Sequence, residues 1–168
     1  ETWQAMESSL GKIKEHNIKI MDRRSTVNIK DLSIKSFNIP HDAIAPVGYT
    51  VSSAGKNASV VTDFGVFTEE IRDNIIDSDI ILLESNHDVN MLRMGPYPYK
   101  LKLRVLGENG HLSNEDCGSA IVSLLKNDKK CADKFTKIIK LKRGKTYGKS
   151  NISTGRRGKP RSIYIWSS

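Results

Sequence analysis

Three of the four histidines stand close to carboxylates, at places where an apolar run gives way to polar residues. His41 lies between Pro40 and Asp42, directly after the apolar stretch that ends at Ile39. His87 belongs to Glu84-Ser85-Asn86-His87-Asp88, and His111 shortly precedes Ser113-Asn114-Glu115-Asp116. An imidazole beside a carboxylate can hold a proton at neutral pH and act as a general acid. A neutral imidazole can instead ligate a metal, with a nearby carbonyl or carboxylate fixing its tautomer. Asp63 closes Val60-Val61-Thr62-Asp63, and a carboxylate at the C-terminal end of a strand is a hard ligand able to bridge two metals. Each residue also has a plainer reading. His41 reads as a surface-loop histidine, Asp63 and Asp88 as caps of the turns that follow, His87 as solvated and His111 as lining a helix start. For His41 and Asp63 the plainer reading is the commoner on position alone.

Elements that could position these groups follow from periodicity. Thr2 to Ile13 has Trp3, Met6 and Leu10 on one helical face behind a threonine cap. Ile18–Met21 and Leu32–Phe37 alternate as half-buried strands do, with a polar turn or short strand between them. Val47–Val51 and Ala58–Thr62 form a hairpin around Gly55-Lys56-Asn57. A helix is expected from Thr68, with Glu69 and Glu70 in its first turn, followed by a buried strand over 80–83. Asp88–Arg93 and Tyr99–Leu106 read as helices separated by the breaker Gly95-Pro96-Tyr97-Pro98. Ser113 opens a capping box ahead of Ala120, Ile121, Leu124 and Leu125. Strands alternating with helices make the class α/β.

The formal charge of +8 is unevenly divided. Residues 1–125 carry 13 Lys and Arg against 17 Asp and Glu, a net of −4. Residues 126–168 carry 14 against 2, a net of +12. The chain therefore reads as a domain over 1–126 and a basic tail over 127–168. Two cysteines make neither a disulfide framework nor a zinc knuckle, and cytoplasmic residence is expected. No run is long and apolar enough for a membrane span, and the first residues form no signal peptide.

Pro40-His41-Asp42-Ala43, Thr62-Asp63-Phe64-Gly65, Glu84 to Asp88, Met91 to Pro98 and Gly110 to Asp116 occur in one order. That order resembles the metallo-β-lactamase-fold hydrolases, in the WalJ (YycJ-like) branch. The resemblance covers about Glu1 to Lys126. It implies the C-terminal half of an αββα sandwich, a mixed sheet with flanking helices. It implies further that His41 ligates metal, that Asp63 bridges two divalent ions (zinc or manganese), and that Glu84 and His111 pair to protonate a leaving oxygen. His87 is implied to stand near the substrate phosphate. The implied activity is metal-dependent phosphodiester hydrolysis, exonuclease-like, on DNA or RNA as the nucleic-acid partner.

The sequence departs from the family in two places. The His-x-His-x-Asp-His motif is absent, and no histidine follows His111. His41 and Asp63 supply too few ligands for two ions, so weak or absent metal binding and an inactive piece of a longer protein are expected. Half a sandwich is also expected to expose an apolar sheet face and to self-associate. The tail is open to three readings: a frame-shifted translation, which is favoured; a phosphate-binding basic arm (Lys140, Lys142, Arg143, Lys145, Arg156, Arg157, Lys159, Arg161); or a disordered end. The alternatives to the hydrolase are a non-catalytic nucleic-acid-binding module in that tail and a thioester or lactone hydrolase of the same superfamily.

Overall fold

The computed structural model describes residues 11–126, the single positions 4, 6, 8 and 9, and the backbone of two strands at 137–142 and 164–167. Seven strands form one sheet in sequential order: β1 (Thr26–Ile29), β2 (Leu32–Asn38), β3 (Val47–Ser53), β4 (Lys56–Val61), β5 (Ile80–Glu84), β6 (Lys137–Lys142) and β7 (Tyr164–Ser167). β1 to β4 make an antiparallel meander. β4, β5, β6 and β7 pair in parallel, so the sheet is mixed. The meander needs only tight turns. At the β3–β4 hairpin Ala54 and Gly55 both take positive φ, 48° and 72°, as the twist-matched two-residue turn requires.

Parallel pairing needs a crossover, which α1 (Glu69–Ile75) supplies between β4 and β5. Thr68 caps it, its hydroxyl accepting the Ile71 N–H at 3.2 Å, with Glu69 and Glu70 in the positive first turn. Helices α2 (Val89–Met94), α3 (Tyr99–Leu106) and α4 (Asn114–Lys126) follow β5. The Ser113 hydroxyl accepts the Asp116 N–H at 3.0 Å and donates to the Asp116 carboxylate at 2.7 Å, which starts α4 where the capping pattern places it.

The core lies on one face of the sheet. Phe37, Val61, Ile81 and Leu83 alternate inward and meet Ile71 and Ile75 of α1 and Cys117, Ala120 and Leu124 of α4. Each large apolar side chain buried there contributes about 1.5–3 kcal/mol. Gly48 stands opposite Phe37 in the register, and any side chain at 48 would occupy the space of the Phe37 ring. The other face carries Ile34, Tyr49, Val51, Val60, Ile80 and Leu82 by the same alternation, and Tyr49, Val60 and Ile80 are exposed.

Two segments depart from the periodicity. Ile18–Met21 alternates as a strand should, but it pairs with no strand among the described residues, and Ile20 is 82% exposed. Alternation marks a strand only where a sheet edge receives it, and here the edge begins at Thr26. Gln4, Met6, Ser8 and Ser9 are helical, whereas the rest of the helix expected over Thr2–Ile13 down to Leu10 lies outside the described residues, and 11–13 is non-helical. The Gly144–Pro160 portion of the basic tail also lies outside them. Among the described residues no helix is long and apolar enough to cross a membrane.

Candidate active site

Because β2, β3 and β4 alternate in direction and β5 runs parallel to β4, β2, β4 and β5 all point the same way. Their C-terminal ends deliver His41, Asp63 and Glu84 to one end of the sheet, where open α/β sheets bind ligands. His41 follows β2 by three residues. Its Nδ1 lies 3.1 Å from the Gly110 carbonyl, which makes Nδ1–H the donor and leaves Nε2 with the lone pair. The peptide around it is tied down by Gly65 N–H to Pro40 O at 3.2 Å and Asp42 N–H to Asn109 O at 3.1 Å.

Asp63 leaves β4 with φ of 57°, in the left-handed region. That conformation turns the chain so that the Phe64 ring enters the core while the Asp63 carboxylate stays largely exposed. The Phe64 N–H donates to Glu84 Oε2 at 3.0 Å.

Glu84 is the last residue of β5 and is buried. Besides Phe64, it accepts from His111 Nδ1 at 2.9 Å and from Asn86 Nδ2 at 3.2 Å. Burial alone would push its pKa up and is the largest single influence. The hydrogen bonds from His111 and Phe64 together outweigh it, and the carboxyl sits below its ordinary value. It is therefore ionised at neutral pH and holds His111 in the Nδ1–H form. The backbone N–H of His111 donates to the Val105 carbonyl at 3.0 Å.

These groups converge. The His41 and His111 ring centres are 5.2 Å apart, and His111 Nδ1 is 3.7 Å from Asp63 Oδ1. One ligand atom each from His41, Asp63 and His111 lie within 4.8 Å of one another, a donor set of the kind that suits zinc or manganese. His87 lies outside that group. Its carbonyl accepts the Asn114 N–H at 2.8 Å, it bridges to Ser113, and neither ring nitrogen has a partner among the described residues. Burial first, and then the nearby His111, lower its pKa, so the ring is neutral.

Residues distant in sequence complete the surroundings. The Arg104 guanidinium on α3 forks onto the Asp42 carboxylate, one bond measuring 3.1 Å, and this holds the Asp42 pKa below its usual value. Asp42 Oδ1 lies 3.5 Å from His41 Nε2. Two cavities share His41 as a wall. One of about 290 Å³ is also lined by Asn86, Leu101, Arg104 and His111. The other, of about 380 Å³, is lined by Arg23, Asn38, Pro40 and Asn109. Sequence reasoning missed Asn86 and Arg104. Asn86 sits inside the Glu84–Asp88 stretch and could have been noticed there, whereas nothing local ties Arg104 to Asp42.

Residues 1–130 match the family model described as "Beta-lactamase superfamily domain". The chain is 40% identical over 129 residues to "Exodeoxyribonuclease WalJ" of Streptococcus pneumoniae, covering 76% of this chain and 48% of that protein. It is 33% identical over 130 residues to "Exodeoxyribonuclease YycJ" of Bacillus anthracis, covering 77% and 49%. The chain thus spans about half the length of the curated relatives it matches. Among solved structures, a diphosphatase of the PhnP family aligns with 82% of this chain and 41% of its own, at 13% identity and a TM-score of 0.49. The chain belongs to the beta-lactamase superfamily domain family and is a WalJ-like protein of the metallo-β-lactamase fold.

Proposed function

We propose that the chain carries part of a metal-dependent phosphodiester hydrolase acting on the ends of DNA or RNA. The observation that carries this reading is the convergence of His41, Asp63 and the Glu84–His111 pair on one point at the strand ends. The names of the relatives, both exodeoxyribonucleases, support a nucleic-acid substrate. His41 Nε2 and the Asp63 carboxylate would hold a divalent ion. That ion, when bound, supplies Lewis-acid polarisation of the phosphoryl group and a water of lowered pKa. His41 is aimed by the Gly110 carbonyl. Glu84 accepts the His111 Nδ1–H, which favours a proton on the other ring nitrogen. A proton on Nε2 is the one His111 would give to the departing oxygen, a contribution of about 10²–10⁴ in rate. His87 takes the place near the phosphate that the resemblance gives it. Neutral through burial, it offers an N–H and no charge.

The 4.8 Å donor group favours a second assignment, in which His111 is a third ligand with Glu84 holding its Nδ1–H. Calorimetric titration of the chain with Zn²⁺ and Mn²⁺ decides between them. His41→Ala and Asp63→Asn are expected to weaken uptake about 10–100-fold. His111→Asn leaves uptake intact if it is the acid, and weakens uptake equally if it is a ligand. Metal uptake indifferent to His41 and Asp63 would overturn the site.

A further inference from the structure

The stretch between Asp88 and Glu108 contributes Leu101, Arg104 and Val105 to the walls of the proposed site, and its make-up is unusual. It holds Arg93, Lys100, Lys102 and Arg104 and not one acidic residue. α2 buries Leu92 alone, and the eight residues of α3 bury nothing. Between the helices Tyr97 is 53% exposed, Tyr99 opens α3 at 73%, and Met94 is 88% exposed. A large apolar and aromatic surface left in water is the informative kind of exposure.

This surface is also fixed in place. Lys102 Nζ donates to the Arg93 carbonyl at 2.7 Å, which draws α3 back onto the end of α2. Arg104 forks onto Asp42 beside His41, which anchors α3 to the site. The helix that Tyr99 opens thus also supplies Leu101, Arg104 and Val105 to the cavity lined by His41 and His111. Aromatic planes interleaved with cations, and no anions among them, match a polymer that offers bare planar faces and regularly spaced negative charges. Unpaired bases present such faces, whereas a duplex hides them in its own stack. An anionic lipid surface matches the charge but gives the rings nothing to stack on.

We propose that α2, the Gly95–Pro98 turn and α3 form a docking surface for single-stranded nucleic acid. Tyr97 and Tyr99 stack on bases, Arg93 and Lys100 hold the intervening phosphates, and the strand is led into the cavity beside His41 and His111. The destination of the strand rests on the phosphodiester reading above, but the binding itself requires no metal.

The test is fluorescence anisotropy of the full chain with a labelled 20-residue oligothymidylate in EDTA, where hydrolysis cannot contribute. The basic tail attracts phosphates too, so the informative variants leave the charge alone. Tyr97→Ala with Tyr99→Ala is expected to weaken binding at least tenfold. Tyr97→Phe with Tyr99→Phe should retain it, and wild type should bind an abasic strand of equal length as weakly as the alanine variant binds thymidylate. Arg93→Ala with Lys100→Ala should lower the salt slope by about 1.4, the release expected from two single-strand phosphates. Unchanged circular dichroism shows that the exposed tyrosines were removed without loss of fold. The inference is overturned if the alanine variant binds thymidylate as wild type does, if wild type binds no single strand, or if the tyrosine changes abolish only sedimentation with phosphatidylserine vesicles. Single-strand binding that depends on the tyrosines, in a chain whose metal uptake is indifferent to His41 and Asp63, sustains this inference and counts against the preceding one alone.

Discussion

Asp63 joins a backbone requirement to a chemical one. Its φ of 57° is a conformation that most residues resist, that Asp and Asn tolerate and that glycine adopts freely. Asp63→Gly is therefore expected to unfold in urea at the wild-type midpoint or above it, and Asp63→Ala about 1 kcal/mol below Asp63→Gly, although both lose the carboxylate. Equal stabilities would show that the left-handed turn costs nothing. His87 presents the opposite case. Both its buried nitrogens lack partners among the described residues, and such groups cost about 1–3 kcal/mol, so His87→Leu should raise stability by about 1 kcal/mol. A stability loss larger than 1 kcal/mol would mean that the ring is bonded after all. His41, Asp63 and Glu84 stood out because they end or shortly follow apolar strands, and the fold brings them beside His111 while His87 stays outside that group. The forked bond from Arg104 to Asp42, 62 residues apart, was not legible, since no local pattern encodes a long-range ion pair.

At the scale of elements, the caps and turns carry the placement. The α3–α4 connection must bring Gly110 against the end of α3 so that its carbonyl can orient His41 and the next residue can meet Glu84. A side chain at 110 would press into the carbonyls of Arg104 and Val105. Gly110→Ala is expected to cost about 1–3 kcal/mol and to weaken metal uptake as His41→Ala does, because the loop must move to make room. Normal uptake in a destabilised protein would show that the loop moves without the imidazole. Most elements were readable in advance. Thr68 and Ser113 announce α1 and α4, Gly95 ends α2, and the hairpin is present, although its turn is Ala54–Gly55 and Lys56 and Asn57, read as turn residues, pair within β4. Ile18–Met21 was misread because its alternating pattern has no sheet edge to pair with, a tertiary fact that the local sequence does not contain.

For the whole molecule, charge pairing sets the response to pH. Arg24 holds Glu70, Lys56 holds Asp79 and Arg104 holds Asp42 below their ordinary values. A carboxylate with a depressed folded pKa adds stability that is present above its unfolded value, about 4, and is lost as pH falls through the folded one. His87 is depressed too, so the unfolded chain takes up its proton first as pH drops below about 6.5, and stability begins to decline there. Urea midpoints measured from pH 8 to 3 should show two declines, one below about 6.5 and a second below about 4. His87→Leu should erase only the first, and a single decline in the wild type would contradict the assignment of a neutral buried ring.

The Ala54–Gly55 turn stands at the far end of β4 from Asp63. Six strand residues at about 3.3 Å each put roughly 20 Å between them. The tip is therefore a natural attachment point. A dye, an affinity peptide or a linker to a solid support inserted there leaves the end that carries His41, Asp63 and Glu84 open to solvent, and insulates a measurement at one end from events at the other.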